Sequence, residues 1–137
     1  MYSKIMVPVD LGHVERLEKA LKTAADLAKH YGAPVCYVGV TSAAPGSVAH
    51  NPAEFQQRLD ELAAAQAKAH GAEVSTLEIV SHDPAVDLDS KLLDAVNETG
   101  ADLVVMASHV PGVLEHIFGS NAGYVASHAK VSVFVVR

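Results

Sequence analysis

Short runs of β-branched and other apolar residues alternate along the chain with longer segments whose apolar positions recur every three or four residues. The first run, Ile5-Met6-Val7-Pro8-Val9, predicts a strand. Pro8 belongs near its end, because proline donates no ladder hydrogen bond. Val14, Leu17, Leu21, Ala24 and Ala28 then recur at helical spacing, and Gly32-Ala33-Pro34 stops that helix. A second strand is predicted over 35–40. A long loop over 41–52, rich in Ser, Ala, Pro and Gly, follows it. Phe55, Leu59, Leu62, Ala63 and Ala69 mark a second helix, closed by Gly71. Residues 74–80 alternate imperfectly, with Glu78 inside the run, as an edge strand would. Asp83-Pro84 opens a third helix with Leu88, Leu92 and Val96 inward; Pro84 suits its first turn and Gly100 ends it. Leu103-Val104-Val105-Met106-Ala107 is continuously apolar, the pattern of a strand covered on both faces. After a second long loop, 108–118, the pattern predicts a short helix over 119–129 and a last strand over 131–136.

Strands that alternate with helices predict a parallel sheet with helices on both faces, here in a single domain over 1–137. Sheets of this kind take ligands outside the carboxyl ends of their strands, where the strand order switches direction. The two long loops follow the second and fourth strands, so both lie at that end, and long loops in compact domains carry function disproportionately. The order of the strands does not follow from the pattern.

Composition narrows the function. The 137 residues are 50% hydrophobic and 19% charged, and the mean hydropathy of +0.19 excludes disorder as the main state. The longest apolar runs are far too short to span a bilayer, and the amino terminus has no signal-peptide apolar region. A cytoplasmic protein with no membrane insertion is therefore expected. A single cysteine, Cys36, excludes a disulfide framework. A net charge of −6, 5% aromatic residues and no tryptophan argue against nucleic acid as a partner. The acidic excess lies in the first 100 residues. Residues 101–137 hold only Asp102 and Glu115 against Lys130 and Arg137.

That neutral segment contains Gly112 and, further on, Gly119-Ser120-Asn121-Ala122. Ser120 suits a helix N-cap, and the first N–H groups of a helix can hold an anion. An ordinary glycine-serine helix entry is the competing reading. The segment is neither a P-loop nor a dinucleotide fingerprint, since GxxxxGK and GxGxxG are both absent. Asp10 closes the first strand at the same end of the sheet. It could accept from an adenine amino group, a ribose or a metal-bound water, or simply start a turn. A phosphate-accepting aspartate would want a second acid beside it, and Pro8-Val9-Asp10-Leu11 supplies one. Among the eight histidines none forms HxH or HExxH, so no metal site is expected. His109 follows the fourth strand directly and could touch a ribose or phosphate. Ser108 and His109 are adjacent and point apart at a strand exit, and Cys36 lies inside a strand. No catalytic residue is assigned, and a non-enzymatic protein is expected.

Taken in order, Val7-Pro8-Val9-Asp10, Asp83-Pro84, the run from Ala101-Asp102-Leu103 to Ala107-Ser108-His109, Gly119-Ser120-Asn121-Ala122 and the terminal strand 131–136 resemble the universal stress protein family. The resemblance covers the whole chain, is most specific over 101–136, and looks like the family's F/G-type branch. It implies an open five-stranded parallel sheet of order 3-2-1-4-5, a Rossmann-like α/β fold, with ATP at the strand carboxyl ends. The family motif Gly-x2-Gly-x9-Gly-Ser/Thr carries over to Ala107, Val110, Gly119 and Ser120. The last pair matches. Ala107 and Val110 replace the first two glycines, the second gap is eight residues, and Pro111 stands where the family often has a basic residue. His82 stands where the family usually has glycine.

By the same carry-over, Pro8, Val9 and Asp10 line the adenine side and Val40 offers backbone groups to the adenine edge. Ala107 and His109 sit by the ribose and first phosphate, while Gly119, Ser120 and Asn121 cradle the outer phosphates. The implied ligand is ATP, with or without Mg2+, and AMP or an empty pocket are the alternatives. In that strand order 131–136 is an apolar edge, which pairing with its copy would cover, giving a homodimer. The resulting expectation is a dimeric, ATP-binding stress-response or signalling module with little or no turnover and a protein partner still to be identified. The alternative is a nucleotide-free dimeric interaction scaffold. An adenylyl-transferring enzyme would want a His-x-x-His motif after the first strand, where His13 stands alone.

Overall fold

A computed structural model describes residues 1–108 and 119–137. Its elements are β1 (Ile5–Pro8), a 3-10 segment (Leu11–Arg16), α1 (Glu18–Tyr31), β2 (Val35–Ser42), α2 (Pro52–His70), β3 (Val74–Ser81), α3 (Pro84–Thr99), β4 (Leu103–Ala107), α4 (Gly119–His128) and β5 (Ser132–Val136). All five strands are parallel in one sheet, in the expected order β3-β2-β1-β4-β5.

The period-two alternation of the strands sorts their side chains between two cores. Ile5, Val7, Val35, Tyr37 and Val105 face α1 and α2, where Leu21, Ala24 and Leu59 meet them. Met6, Cys36, Val38, Val104 and Met106 face α3 and α4, against Leu92, Val96 and Val125. Leu59 and Leu92 are both fully buried, each contributing about 1.5–3 kcal/mol through lost apolar hydration. Burial of Tyr37 pushes its phenol up to about 12. Gly32, Gly71 and Gly100, the three predicted stops, cap α1, α2 and α3 in the left-handed conformation at φ of 64°, 74° and 68°.

The boundaries shift where long-range pairing or a side chain overrides the local pattern. β2 runs to Ser42, beyond the predicted 35–40, because β3 pairs with it in register from Val74 to Ser81. α2 begins at Pro52, where the Asn51 side chain accepts from the N–H of Glu54 and caps the helix. The predicted first helix is broken. A 3-10 segment with non-helical backbone at His13 precedes α1, and Asp10 caps that segment through the N–H of Gly12.

Pro8 shapes the sheet directly. Ile5 and Val9 donate backbone N–H groups to Pro34 and Val38 on the β2 side. By alternation the ring nitrogen of Pro8, which carries no hydrogen, faces β4. The β1–β4 ladder registers Ile5 with Leu103 and Met6 with Val104 and goes no further, whereas β1–β2 pairing continues to Pro8 and Val38. β1 and β4 therefore part at their carboxyl ends, at the place where the strand order switches direction.

Candidate functional site

A cleft of about 220 Å³ opens at the carboxyl ends of β1 and β2. Val9 and Asp10 from the β1 exit, Val40 to Ser42 from the end of β2, Phe55 of α2, and Pro84 and Leu88 of α3 line it. The outer wall is the 43–50 loop, which turns back on itself through Gly46 N–H to Ala49 C=O at 2.9 Å. Ala49 is buried against the sheet, which holds that wall in place. Val9, Val40, Phe55 and Leu88 supply apolar surface to the cleft. Among the described residues that line the cleft, Asp10 is the charged one.

Asp10 is held closely. Its Oδ1 accepts from Gly12 N–H at 3.0 Å, and its Oδ2 lies 2.9 Å from His13 Nδ1. Gly12 is a close-approach position: a Cβ there would sit 3.3 Å from Asp10 Oδ1 and 3.4 Å from a Val48 methyl. On the far wall, buried Ser81 at the end of β3 accepts from Asp83 N–H and donates to Asp87, which orients the start of α3 that brings Pro84 and Leu88 to the cleft. His82 is exposed.

Of the residues expected at the site, Val9, Asp10 and Val40 meet in this cleft. Pro8 is buried in β1. Ala107 ends β4, half-buried, and the next backbone N–H, that of Ser108, donates to Val136 C=O at 2.7 Å. Gly119 and Ser120 open α4, with Asn121 buried in its first turn. His109 and Val110 lie outside the described residues. Sequence reasoning missed Thr41, Ser42, Phe55 and Leu88 as lining residues. The signal for Phe55 was present, as the first apolar residue after the long loop, but nothing local said that it would reach back to β2. Among the described residues no group of three or more His, Cys, Asp or Glu side chains could hold a metal ion.

The doubly wound parallel sheet, with its crevice at the strand carboxyl ends and a cleft built on the β1 exit, places the chain in the switch-point class of α/β domains. Within that class the assignment is specific: the universal stress protein family matches over residues 1–137, and the chain belongs to it. It is 34% identical to universal stress protein G of Salmonella typhimurium over 100% of both chains. The fold is shared with a universal stress protein from Archaeoglobus fulgidus solved in complex with dAMP, at 24% identity, 99% and 98% coverage and a TM-score of 0.70. A universal stress protein solved in complex with cAMP matches at 23% identity, 99% and 97% coverage and a TM-score of 0.71.

Proposed function

We propose that this protein binds an adenine nucleotide in the cleft at the carboxyl ends of β1 and β2, and that it acts as a homodimeric, ATP-responsive stress-response module with little or no turnover. The observation that carries this reading is the meeting of Val9, Asp10 and Val40 in one apolar-walled cleft. The complexes of related folds with dAMP and cAMP support it.

At about 220 Å³ the cleft is smaller than the 300–1,000 Å³ common for whole ligand sites. It suits the nucleoside end, with the phosphates extending towards the start of α4. There the first backbone N–H groups of the helix, at Gly119, Ser120 and Asn121, would serve as their donors, since such groups have no intrahelical acceptor. Mg2+ would bind through the phosphates and water, since one carboxylate lines the cleft. Among the described residues no helix is long and apolar enough to cross a membrane, and action in the cytoplasm fits this reading.

Calorimetry with ATP and Mg2+ tests it. Binding at or below millimolar nucleotide is expected, weakened when Gly119→Trp fills the backbone approach to the phosphates, with no ADP released over hours. No heat of binding to folded protein would favour a second reading, a nucleotide-free dimeric scaffold. The replacement of two motif glycines by Ala107 and Val110 speaks for that reading.

A further inference from the structure

Both oxygens of the Asp10 carboxylate are engaged by the chain itself, one by Gly12 N–H and the other by the His13 ring. The backbone at His13, φ −142° and ψ 45°, leaves the helical region inside the 3-10 segment. The ring lies against a residue three positions earlier, and the His13 N–H donates to the Asp10 carbonyl at 3.0 Å. A carboxylate only accepts, so the hydrogen in the ring contact resides on Nδ1. Asp10 lines the cleft with its side chain 16% exposed. His13 is not a lining residue and is 39% exposed, so it reaches Asp10 from outside the cleft.

A carboxylate offers about four lone-pair sites. Gly12 and His13 take two of them, and among the described residues no other donor bonds to this carboxylate, which leaves two for a ligand in the cleft that Asp10 lines. With His13 removed, one N–H would hold the group and the carboxylate could rotate. What a fixed carboxylate can recognise is a donor, either a base amino group or a ribose hydroxyl, and it would repel a phosphate.

We propose that His13 is a positioning residue for the nucleoside end of the cleft: its Nδ1–H holds the Asp10 carboxylate so that its free lone pairs meet a donor on the base or sugar. This rests on the nucleotide reading above. Because the contact addresses the nucleoside, its loss should weigh equally on ligands that differ only in phosphate number.

Calorimetry with adenosine, AMP and ATP on wild type, His13→Ala, His13→Asn, Asp10→Ala and the Asp10→Ala/His13→Ala pair tests this. His13→Ala should weaken all three ligands by about tenfold, the scale of one lost hydrogen bond to a charged group. His13→Asn, whose amide can still donate to the carboxylate, should recover most of the loss. On the Asp10→Ala background, His13→Ala should have no further effect. In the free protein, 15N NMR should show the His13 ring protonated at Nδ1, and Asp10→Ala should remove that preference. Wild-type affinity in His13→Ala, a loss that grows with phosphate number, or an undiminished loss on the Asp10→Ala background would each overturn the proposal. Wild type that binds none of the three ligands would overturn the nucleotide reading itself, an outcome told apart because the Nδ1 signature would persist.

Discussion

At the scale of single residues, the cleft depends on an absent side chain. Gly39 is buried in β2, and a Cβ built there would lie 2.7 Å and 2.8 Å from two ring carbons of Phe55. The glycine is required for close approach rather than for an unusual backbone angle, since the ring of Phe55 rests directly on the strand. Gly39→Ala should force that ring aside at a cost of about 1–3 kcal/mol, the range for overpacking a dense core. A lower urea midpoint with an unchanged slope would show it. Because Phe55 also lines the cleft, nucleotide affinity should fall in the same variant. The Gly39→Ala/Phe55→Leu pair should regain part of the stability, and an unaltered midpoint in Gly39→Ala would mean that the ring yields freely. Gly39 itself was legible as a glycine inside a strand, but which ring it admits was not. That contact joins two elements through a fold that no local window contains.

Between elements, two carboxylates bias stability in opposite directions. Asp102, at the entry to β4, accepts from the N–H groups of Ser3 and Lys4 and from the Ser3 hydroxyl at 2.9–3.0 Å, tying that entry to the start of β1. Burial alone would raise its carboxyl, but the Lys4 and Ser3 hydrogen bonds together hold it below the usual range. Its stabilisation is therefore present above the unfolded-state value and is lost as pH falls through the lower folded value. Glu78 lies on the edge strand β3, with one carboxylate oxygen buried and without a hydrogen-bond partner. Burial pushes it up; contact with the Gln56 backbone opposes this, and the charge of Asp60 adds to the rise. The folded chain then keeps a proton that the unfolded chain has released, so stability falls as pH rises from the ordinary glutamate value through the raised one. Urea unfolding from acid to neutral pH should show Asp102→Asn less stable at neutral pH and equal to wild type in acid. Glu78→Gln should be more stable at neutral pH, with the gain vanishing in acid. Parallel curves for either variant would remove that carboxylate from the account. The imperfect alternation around Glu78 was enough to read an edge strand, and the five strands and α1 to α3 of the described residues were visible in the apolar runs, the helical spacing and the glycine stops. The break at His13 was not, because Asp10 competes for the first N–H of the segment through its side chain, and apolar periodicity carries no trace of that. Strand order was not legible from the pattern either, since parallel neighbours are chosen by contacts far apart in sequence; it came from the resemblance.

For the whole molecule, the site was half legible. Asp10 and the β2 exit could be placed because loops at one end of a parallel sheet converge, while the contribution of α2 and α3 depended on packing. The same sheet order sets how two copies would meet. It leaves two edges, and they are unlike. β3 presents Ser75, Thr76 and Glu78, and α2 reaches over it through Gln56 and Asp60, which hydrogen-bond to the Thr76 hydroxyl. An inward-pointing charge on an edge strand is a known guard against edge-to-edge pairing. β5 has no charged residue between Ser132 and Val136, and it leaves Phe134 46% and Val135 38% exposed on opposite faces. An apolar, unguarded edge is stable in water only when covered, and a second copy of the same strand covers it symmetrically. Wild type should therefore sediment as a dimer at micromolar concentration. Phe134→Glu/Val135→Lys should sediment as a monomer with an unchanged far-ultraviolet spectrum, because both side chains are already partly exposed and neither fills the core. Glu78→Val, which removes the guard on the opposite edge, should instead add larger species to the dimer. A wild type that stays monomeric, or a doubly charged variant that stays dimeric, would move the interface away from β5.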